Sequence, residues 1–200
     1  MKIAAIVLAA GCSVRMAEPK ALVKFGPKTF LETVLVNLEQ AGVAESVVVL
    51  GHAADQILDR VNLASAQFVV NKDYLLGQFS SFQTGLKKLN ETVAGVFLAL
   101  VDQPQIGADL LARIKQAFVE RPRNIVIPTC EGRRGHPPIF PRLLFREILA
   151  APSSQSAADL IHKNAEKVYE LELAEESVLW NVNTRNDLLQ IQRRLASSRI

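Results

Sequence analysis

The chain has 200 residues, 49% of them hydrophobic and 22% charged, with a formal net charge of +3. That balance suits a folded globular protein with one sizeable core and excludes disorder as the main state. The Lys and Arg residues are scattered apart from pairs such as Arg133-Arg134 and Arg193-Arg194, so no basic face points to nucleic acid, and a mild positive balance suits a small phosphate-bearing substrate.

The elements alternate along the chain. Ile3 to Ala9 is a continuous run of β-branched and small apolar residues, as expected of a central parallel strand covered on both faces. The apolar start ends at Gly11, so it reads as a buried strand and not as a signal peptide. No segment approaches the roughly 18 to 20 apolar residues of a membrane span. Phe30 to Ala41 has helical spacing, Ser46 to Leu50 reads as a strand, Ala53 to Val61 as a short helix and Gln67 to Val70 as a third strand. Ser80 to Leu89 is helical, with Ser80 or Ser81 placed to cap it. Gly95 to Leu100 is a buried strand, Gly107 to Arg121 a long amphipathic helix and Asn124 to Pro128 a fifth strand. Beyond it come a short extended piece bounded by Pro137, Pro138 and Pro141, helices at Leu143 to Leu149 and Ala157 to Lys163, a strand at Val168 to Leu173 and a terminal helix from Thr184 to Leu195 capped by Asn183 or Thr184. Repeated strand-helix-strand units imply a single domain with a mostly parallel sheet between two helix layers. Ligands of such sheets bind beyond the carboxyl ends of the strands.

The loop after the first strand carries the strongest signal. Leu8-Ala9-Ala10-Gly11-Cys12-Ser13 lets a phosphate approach the backbone closely, and its exposed N–H groups form an anion nest. Arg15 can fork two phosphate oxygens, and Lys20 supplies a compact charge. The loop lacks both the Gly-Lys-Ser/Thr ending of a P-loop and the three-glycine dinucleotide fingerprint. Farther on, Asp102 stands just past a buried strand, where magnesium would accept a carboxylate together with substrate phosphates. A helix cap or turn is the other role open to it. Cys12 and Cys130 are far apart, with no Cys or His at metal-ligand spacing, which argues against zinc, and nothing marks the chain for disulfide formation.

The string Leu8-Ala9-Ala10-Gly11-Cys12-Ser13-Val14-Arg15-Met16-Ala17-Glu18-Pro19-Lys20 resembles the signature of the nucleotide-diphospho-sugar-transferase-like nucleotidyltransferases. Within them it is most similar to the MobA-like branch that matures the molybdenum cofactor. The resemblance implies a three-layer α/β/α, Rossmann-like fold and a nucleotidyltransferase in which the loop and Arg15 hold a triphosphate while Lys20 stabilises charge at the attacked α-phosphate. It makes Asp102 a Mg2+ ligand, and it places Asn183 of Asn181-Val182-Asn183-Thr184-Arg185 where the family often has a second metal-binding Asp. It sets Gly77, Ser80 and Ser81 against the nucleotide's base and ribose, and Arg134, Gly135, His136 and Pro137 against the acceptor. Ala10 implies CTP over GTP, because Leu-Ala-Ala-Gly accompanies cytidylyl transfer in that family and Leu-Ala-Gly-Gly guanylyl transfer. The acceptor so implied is molybdopterin, with a molybdoenzyme or its chaperone downstream. Ala17 stands where the family usually has Gly; alanine can replace glycine only if the backbone there needs no positive φ, so a modest adjustment is expected. The overall expectation is a cytoplasmic enzyme with no nucleic-acid or membrane partner. The alternatives are transfer from GTP or to a sugar or polyol phosphate, and a nucleotide- or cofactor-binding protein without turnover.

Overall fold

A computed structural model describes residues 1–61 and 66–197. Its strands are β1 (Lys2–Ala9), β2 (Lys24–Phe25), β3 (Lys28–Thr29), β4 (Glu45–Leu50), β5 (Gln67–Val70), β6 (Val93–Leu100), β7 (Ile125–Cys130), β8 (Arg133–Arg134), β9 (Ile139–Pro141) and β10 (Val168–Glu172). The α-helices are α1 (Phe30–Gln40), α2 (Ala54–Leu58), α3 (Gln78–Leu86), α4 (Ala108–Glu120), α5 (Phe145–Ala150), α6 (Ala157–Lys163) and α7 (Arg185–Ser197). The main sheet runs β10-β7-β9-β6-β1-β4-β5, with β8 paired to β7. The long strands are parallel; β9 opposes β6 and β7, and β8 opposes β7.

The layers follow from the pleat. Ile3, Ala5, Val7 and Ala9 face a core shared with α1, α4 and the buried Ile57 of α2 and Ile191 of α7. Ala4, Ile6 and Leu8 face the opposite core, with Phe79 and Phe82 of α3, Ile148 of α5 and Leu160 of α6. Both faces of β1 are therefore dry, which is why its sequence is apolar throughout and does not alternate. The three-layer α/β/α arrangement implied by the sequence is the one observed.

Local chemistry sets several boundaries. Thr29 and Glu32 form a reciprocal capping box at the start of α1, and Ser156 and Asp159 do the same for α6. The helix expected from Ser80 begins earlier, at Gln78, and neither serine caps it. Gly77 at φ 108° opens that helix instead. Ser80 is buried inside the first turn, where its hydroxyl lies 2.8 Å from the Gly77 carbonyl and accepts from the Asn71 amide at 2.9 Å. At α7 the cap is Thr184: its Oγ1 accepts from the Asp187 N–H at 3.2 Å, and the Asp187 carboxylate accepts from the Thr184 N–H at 2.8 Å. The Asn183 side chain is thereby left to point elsewhere.

Gly95 marks the tightest packing between sheet and helix. A Cβ there would lie 2.3 Å from the ring of Phe118, a fully buried residue of α4. Gly95→Ala is expected to destabilise the fold by about 2–3 kcal/mol through overpacking, read as a lowered urea midpoint at unchanged m-value.

Candidate active site

The sheet reverses its winding at β1: β4 and β5 follow on one side and β6 lies on the other. Beyond the carboxyl ends of these strands is a cleft of about 520 Å³, as expected at such a switch point. Leu8, Ala9, Ala10, Gly11, Cys12 and Ser13 form one wall, with Arg15 and Lys20 following. Asp102 and Asn183 line it as well.

The loop from Gly11 to Lys20 is held in shape by its own bonds. Ser13 takes a left-handed conformation at φ 50°, its carbonyl accepts from the Met16 N–H at 2.9 Å, and its hydroxyl accepts from the Lys20 N–H at 3.0 Å. Met16 is buried and anchors the short 3-10 turn Val14–Met16 in the core. Ala17 follows at φ 59°. The condition for an unstrained alanine at position 17, a backbone without positive φ, is therefore not met. The turn ends in a left-handed residue, and the alanine sits where glycine would be unstrained.

The Lys20 ammonium is the centre of the arrangement. It donates to Asp102 Oδ2 at 2.7 Å and to Asn183 Oδ1 at 2.8 Å. Residues separated by as many as 163 positions thus meet on one cation. Lys20 and Asp102 are shielded but reachable, their side chains 15% and 20% exposed. The donor set suits a divalent metal. A carboxylate and an amide oxygen converge on a point already occupied by a cation, and substrate phosphates would complete the hard oxygen shell that magnesium prefers. The fit is good. Among the described residues no cluster of three His, Cys, Asp or Glu could bind a metal without such help.

Two glutamines that the sequence reading passed over deliver Asn183. Gln103 donates to the Trp180 carbonyl at 3.2 Å and to Asn181 Oδ1 at 2.9 Å. Gln105 donates to the same Trp180 carbonyl at 2.7 Å and to the Ser177 carbonyl at 3.2 Å. The Val182 N–H donates to the Asp102 carbonyl at 2.9 Å. Both glutamines are buried, and Gln105 Oε1 has no hydrogen-bond partner among the described residues. A signal was present in the repeated Gln of Asp102-Gln103-Pro104-Gln105, since a polar side chain next to a buried strand end needs a partner. Gln105→Ala frees the Trp180 and Ser177 carbonyls from it. It is expected to cost about 1–2 kcal/mol, seen as a lower melting temperature, and to raise the apparent metal requirement of turnover several-fold.

The element expected at the acceptor lies differently. Arg134 is half-exposed and pairs with Glu170 at 2.7 Å. Gly135 packs against Val178, leaving only 2.6 Å between a Cβ built there and the Val178 carbonyl oxygen. The His136 N–H donates to that same carbonyl at 2.9 Å. Arg134, Gly135, His136 and Pro137 are not among the residues lining the main cleft. Gly135 and His136 instead seat the 3-10 turn Glu176–Leu179, which leads to Asn183. The His136 imidazole is nonetheless near enough to Asp102 to feel its charge. Burial lowers its pKa from the usual value, and the Asp102 carboxylate opposes that shift, so the ring is neutral around pH 7. Ser81 and Gly77 line the cleft, whereas Ser80 does not. Tyr74, Leu75 and Gln78 line it as well; Tyr74 and Leu75 lie on a short 3-10 turn with no periodicity to flag them, and Gln78 opens α3.

Comparison with known proteins agrees with this geometry. Residues 5–168 match the MobA-like NTP transferase domain family. The chain is 29% identical to the molybdenum cofactor guanylyltransferase of Rhizobium johnstonii, over 98% of this chain and 95% of that one. It is 22% identical to the molybdenum cofactor cytidylyltransferase of Escherichia coli, over 94% and 95% of the two chains. It is also 27% identical to the nicotine blue oxidoreductase of Paenarthrobacter nicotinovorans, over 93% and 94%. Among solved structures, Rv0371c of Mycobacterium tuberculosis superposes with a TM-score of 0.85 at 29% identity, over 96% and 97% of the two chains. A manganese complex of the same protein superposes with a TM-score of 0.81 at 27% identity, over 96% and 99%. With the family matched across most of its length and the glycine loop, Lys20 and Asp102 gathered at one cleft, this chain belongs to the MobA-like NTP transferase family of nucleotidyltransferases.

Proposed function

We propose that the protein, acting as one domain, transfers CMP from CTP to a terminal phosphate of molybdopterin and releases pyrophosphate. The observation that carries this reading is the meeting of Lys20, Asp102 and Asn183 at the mouth of a cleft walled by the glycine loop. An acceptor phosphate oxygen attacks the α-phosphorus, a new P–O–P link forms, and the bond to the β-phosphate breaks. The nucleophile is already ionised near neutral pH, so no general base is needed. Alignment and charge neutralisation are the work left to the protein.

In this reading the loop N–H groups and Arg15 hold the β- and γ-phosphates, and Lys20 turns toward the α-phosphate as its charge grows. Asp102 and Asn183 would hold Mg2+, which supplies Lewis-acid neutralisation of phosphate oxygens. The manganese complex of the Rv0371c protein supports a divalent ion in this fold. His136 does not line the cleft, but its buried ring lies within reach of the Asp102 charge, which leaves an indirect role beside the acceptor open to it. The choice of CTP rests on Ala10, because the relatives named above include both a guanylyl- and a cytidylyltransferase. The oxidoreductase name of one relative has no counterpart in the first loop, which lacks the three-glycine dinucleotide fingerprint. The product would pass to a molybdoenzyme or its chaperone.

The test is pyrophosphate release from each of CTP, GTP, ATP and UTP with magnesium and purified molybdopterin, beside a panel of sugar and polyol phosphates. CTP with molybdopterin is expected to be the productive pair. Preference for GTP would reassign the donor, and turnover with a sugar phosphate alone would reassign the acceptor.

A further inference from the structure

We infer that the flat heterocyclic end of the acceptor, a pterin, docks in a second pocket beside the main cleft, between the start of α3 and the loop that precedes α6. The inference rests on the nucleotidyl-transfer reading above and names where the acceptor of that reaction would be held.

The pocket has a volume of about 240 Å³. That lies below the usual range for a whole drug-sized ligand and suits a single flat ring system. Its apolar lining comes from Leu8 of β1, Leu98 of β6 and the rings of Phe79 and Phe82 of α3. The two rings stand edge to face with centroids 6.2 Å apart, and aromatic walls take a planar heterocycle in stacked or edge contact. The polar lining is Gln78, Ser154, Gln155 and Ser156. The Ser156 hydroxyl is engaged with Asp159 at 2.7 Å. Among the described residues, Gln78, Ser154 and Gln155 make no side-chain hydrogen bond. A glutamine amide both donates and accepts, which matches the adjacent N–H and C=O groups on a pterin edge. Apolar walls with a few polar groups are the usual composition of a small-molecule site.

The loop that carries the polar groups is built in advance. Gln83 of α3 is buried; its Nε2 donates to the Ile148 carbonyl at 2.8 Å and the Ala151 carbonyl at 2.7 Å, and its Oε1 accepts from the Ser153 hydroxyl at 3.2 Å. The Gln155 N–H donates to the Pro152 carbonyl at 3.0 Å, and the capping box of Ser156 and Asp159 fixes the far end. The helix that supplies the aromatic wall thus also holds the polar one.

The pocket is placed to deliver a phosphate. It shares Leu8, Gly77 and Gln78 with the main cleft. Leu8 pairs with Leu100, two residues before Asp102, a chain span of at most about 7 Å. A ring seated against Leu8 and Leu98 would carry a phosphate on a short arm toward Lys20 and Asp102. Gly135 and His136 line neither cavity.

The test is the KM for molybdopterin and for CTP, with melting temperature, in the wild type, Ser154→Trp and Gln155→Ala, beside a titration of hydroxymethylpterin followed by its own fluorescence. Ser154 is exposed, so a bulky ring there should fill the pocket without disturbing the core. Ser154→Trp is expected to raise the KM for molybdopterin by at least about tenfold, and Gln155→Ala by about two- to tenfold, the loss of one hydrogen bond. The KM for CTP and the melting temperature should not move. Hydroxymethylpterin should bind the wild type and not Ser154→Trp. An unchanged KM for molybdopterin in both variants overturns the inference and leaves the transfer reading standing. A KM that rises for CTP instead overturns it as well, because the pocket would then serve the nucleotide. A wild type that turns over no molybdopterin overturns the proposed acceptor, and the pterin titration then decides the pocket by itself: binding abolished by Ser154→Trp supports it, and absent binding, or binding that survives in Ser154→Trp, overturns it. Should Ser154→Trp melt early, Gln155→Ala carries the same comparison.

Discussion

Lys20→Met is expected to lower kcat by about two to three orders of magnitude, the loss typical of removing one positioned donor to a transition-state oxygen. The same variant should bind Mn2+ more tightly than the wild type when no nucleotide is present. In the nucleotide-free protein the ammonium engages both Asp102 Oδ2 and Asn183 Oδ1, and a like charge at that distance opposes a divalent ion. Paramagnetic resonance of free Mn2+ during titration reads this directly. Weaker Mn2+ binding in Lys20→Met would show that the lysine builds the oxygen pair and does not compete for it. Lys20→Arg should not rescue turnover, because a planar fork cannot take the place of a compact charge between two oxygens.

Asp102→Asn carries the second large effect, a fall in kcat/KM of about a hundredfold or more at saturating metal, with the apparent metal constant raised. Its stability cost should be small, since a partly exposed ion pair contributes at most about 1 kcal/mol. Thermal melting within a few degrees of wild type, beside lost turnover, is the expected pattern. Near-normal activity at ordinary magnesium would remove Asp102 from the proposed machinery. The two variants are coupled through one contact, so their combined loss should fall short of the sum of the single losses.

Much of the fold was legible because burial dictates pattern. β1 and β6 are wet on neither face, and their unbroken apolar runs announce central parallel strands. The helix and strand boundaries that slipped were decided by groups that periodicity does not register. Ser80 satisfies itself against Gly77 and Asn71 and so does not cap α3. The left-handed Ala17 could not be read from its residue type, because alanine is no marker for positive φ. The glycine-rich loop stood out because a contiguous string carries it. The clamp that delivers Asn183 did not, since it joins Gln103 and Gln105 to carbonyls more than seventy positions away, and a backbone carbonyl leaves no trace in sequence. For the same reason the close approach of Gly135 to Val178 and the bond from the His136 N–H to the Val178 carbonyl were not legible.

In the proposed reaction this site joins a nucleotide to a phosphate-bearing acceptor. The most direct measurement follows α-labelled CTP and pyrophosphate together in one reaction with molybdopterin and magnesium. One labelled nucleotide should be incorporated into acceptor for each pyrophosphate released, with both lost in Lys20→Met. Pyrophosphate released without incorporation, or incorporation that survives in Lys20→Met, would contradict it.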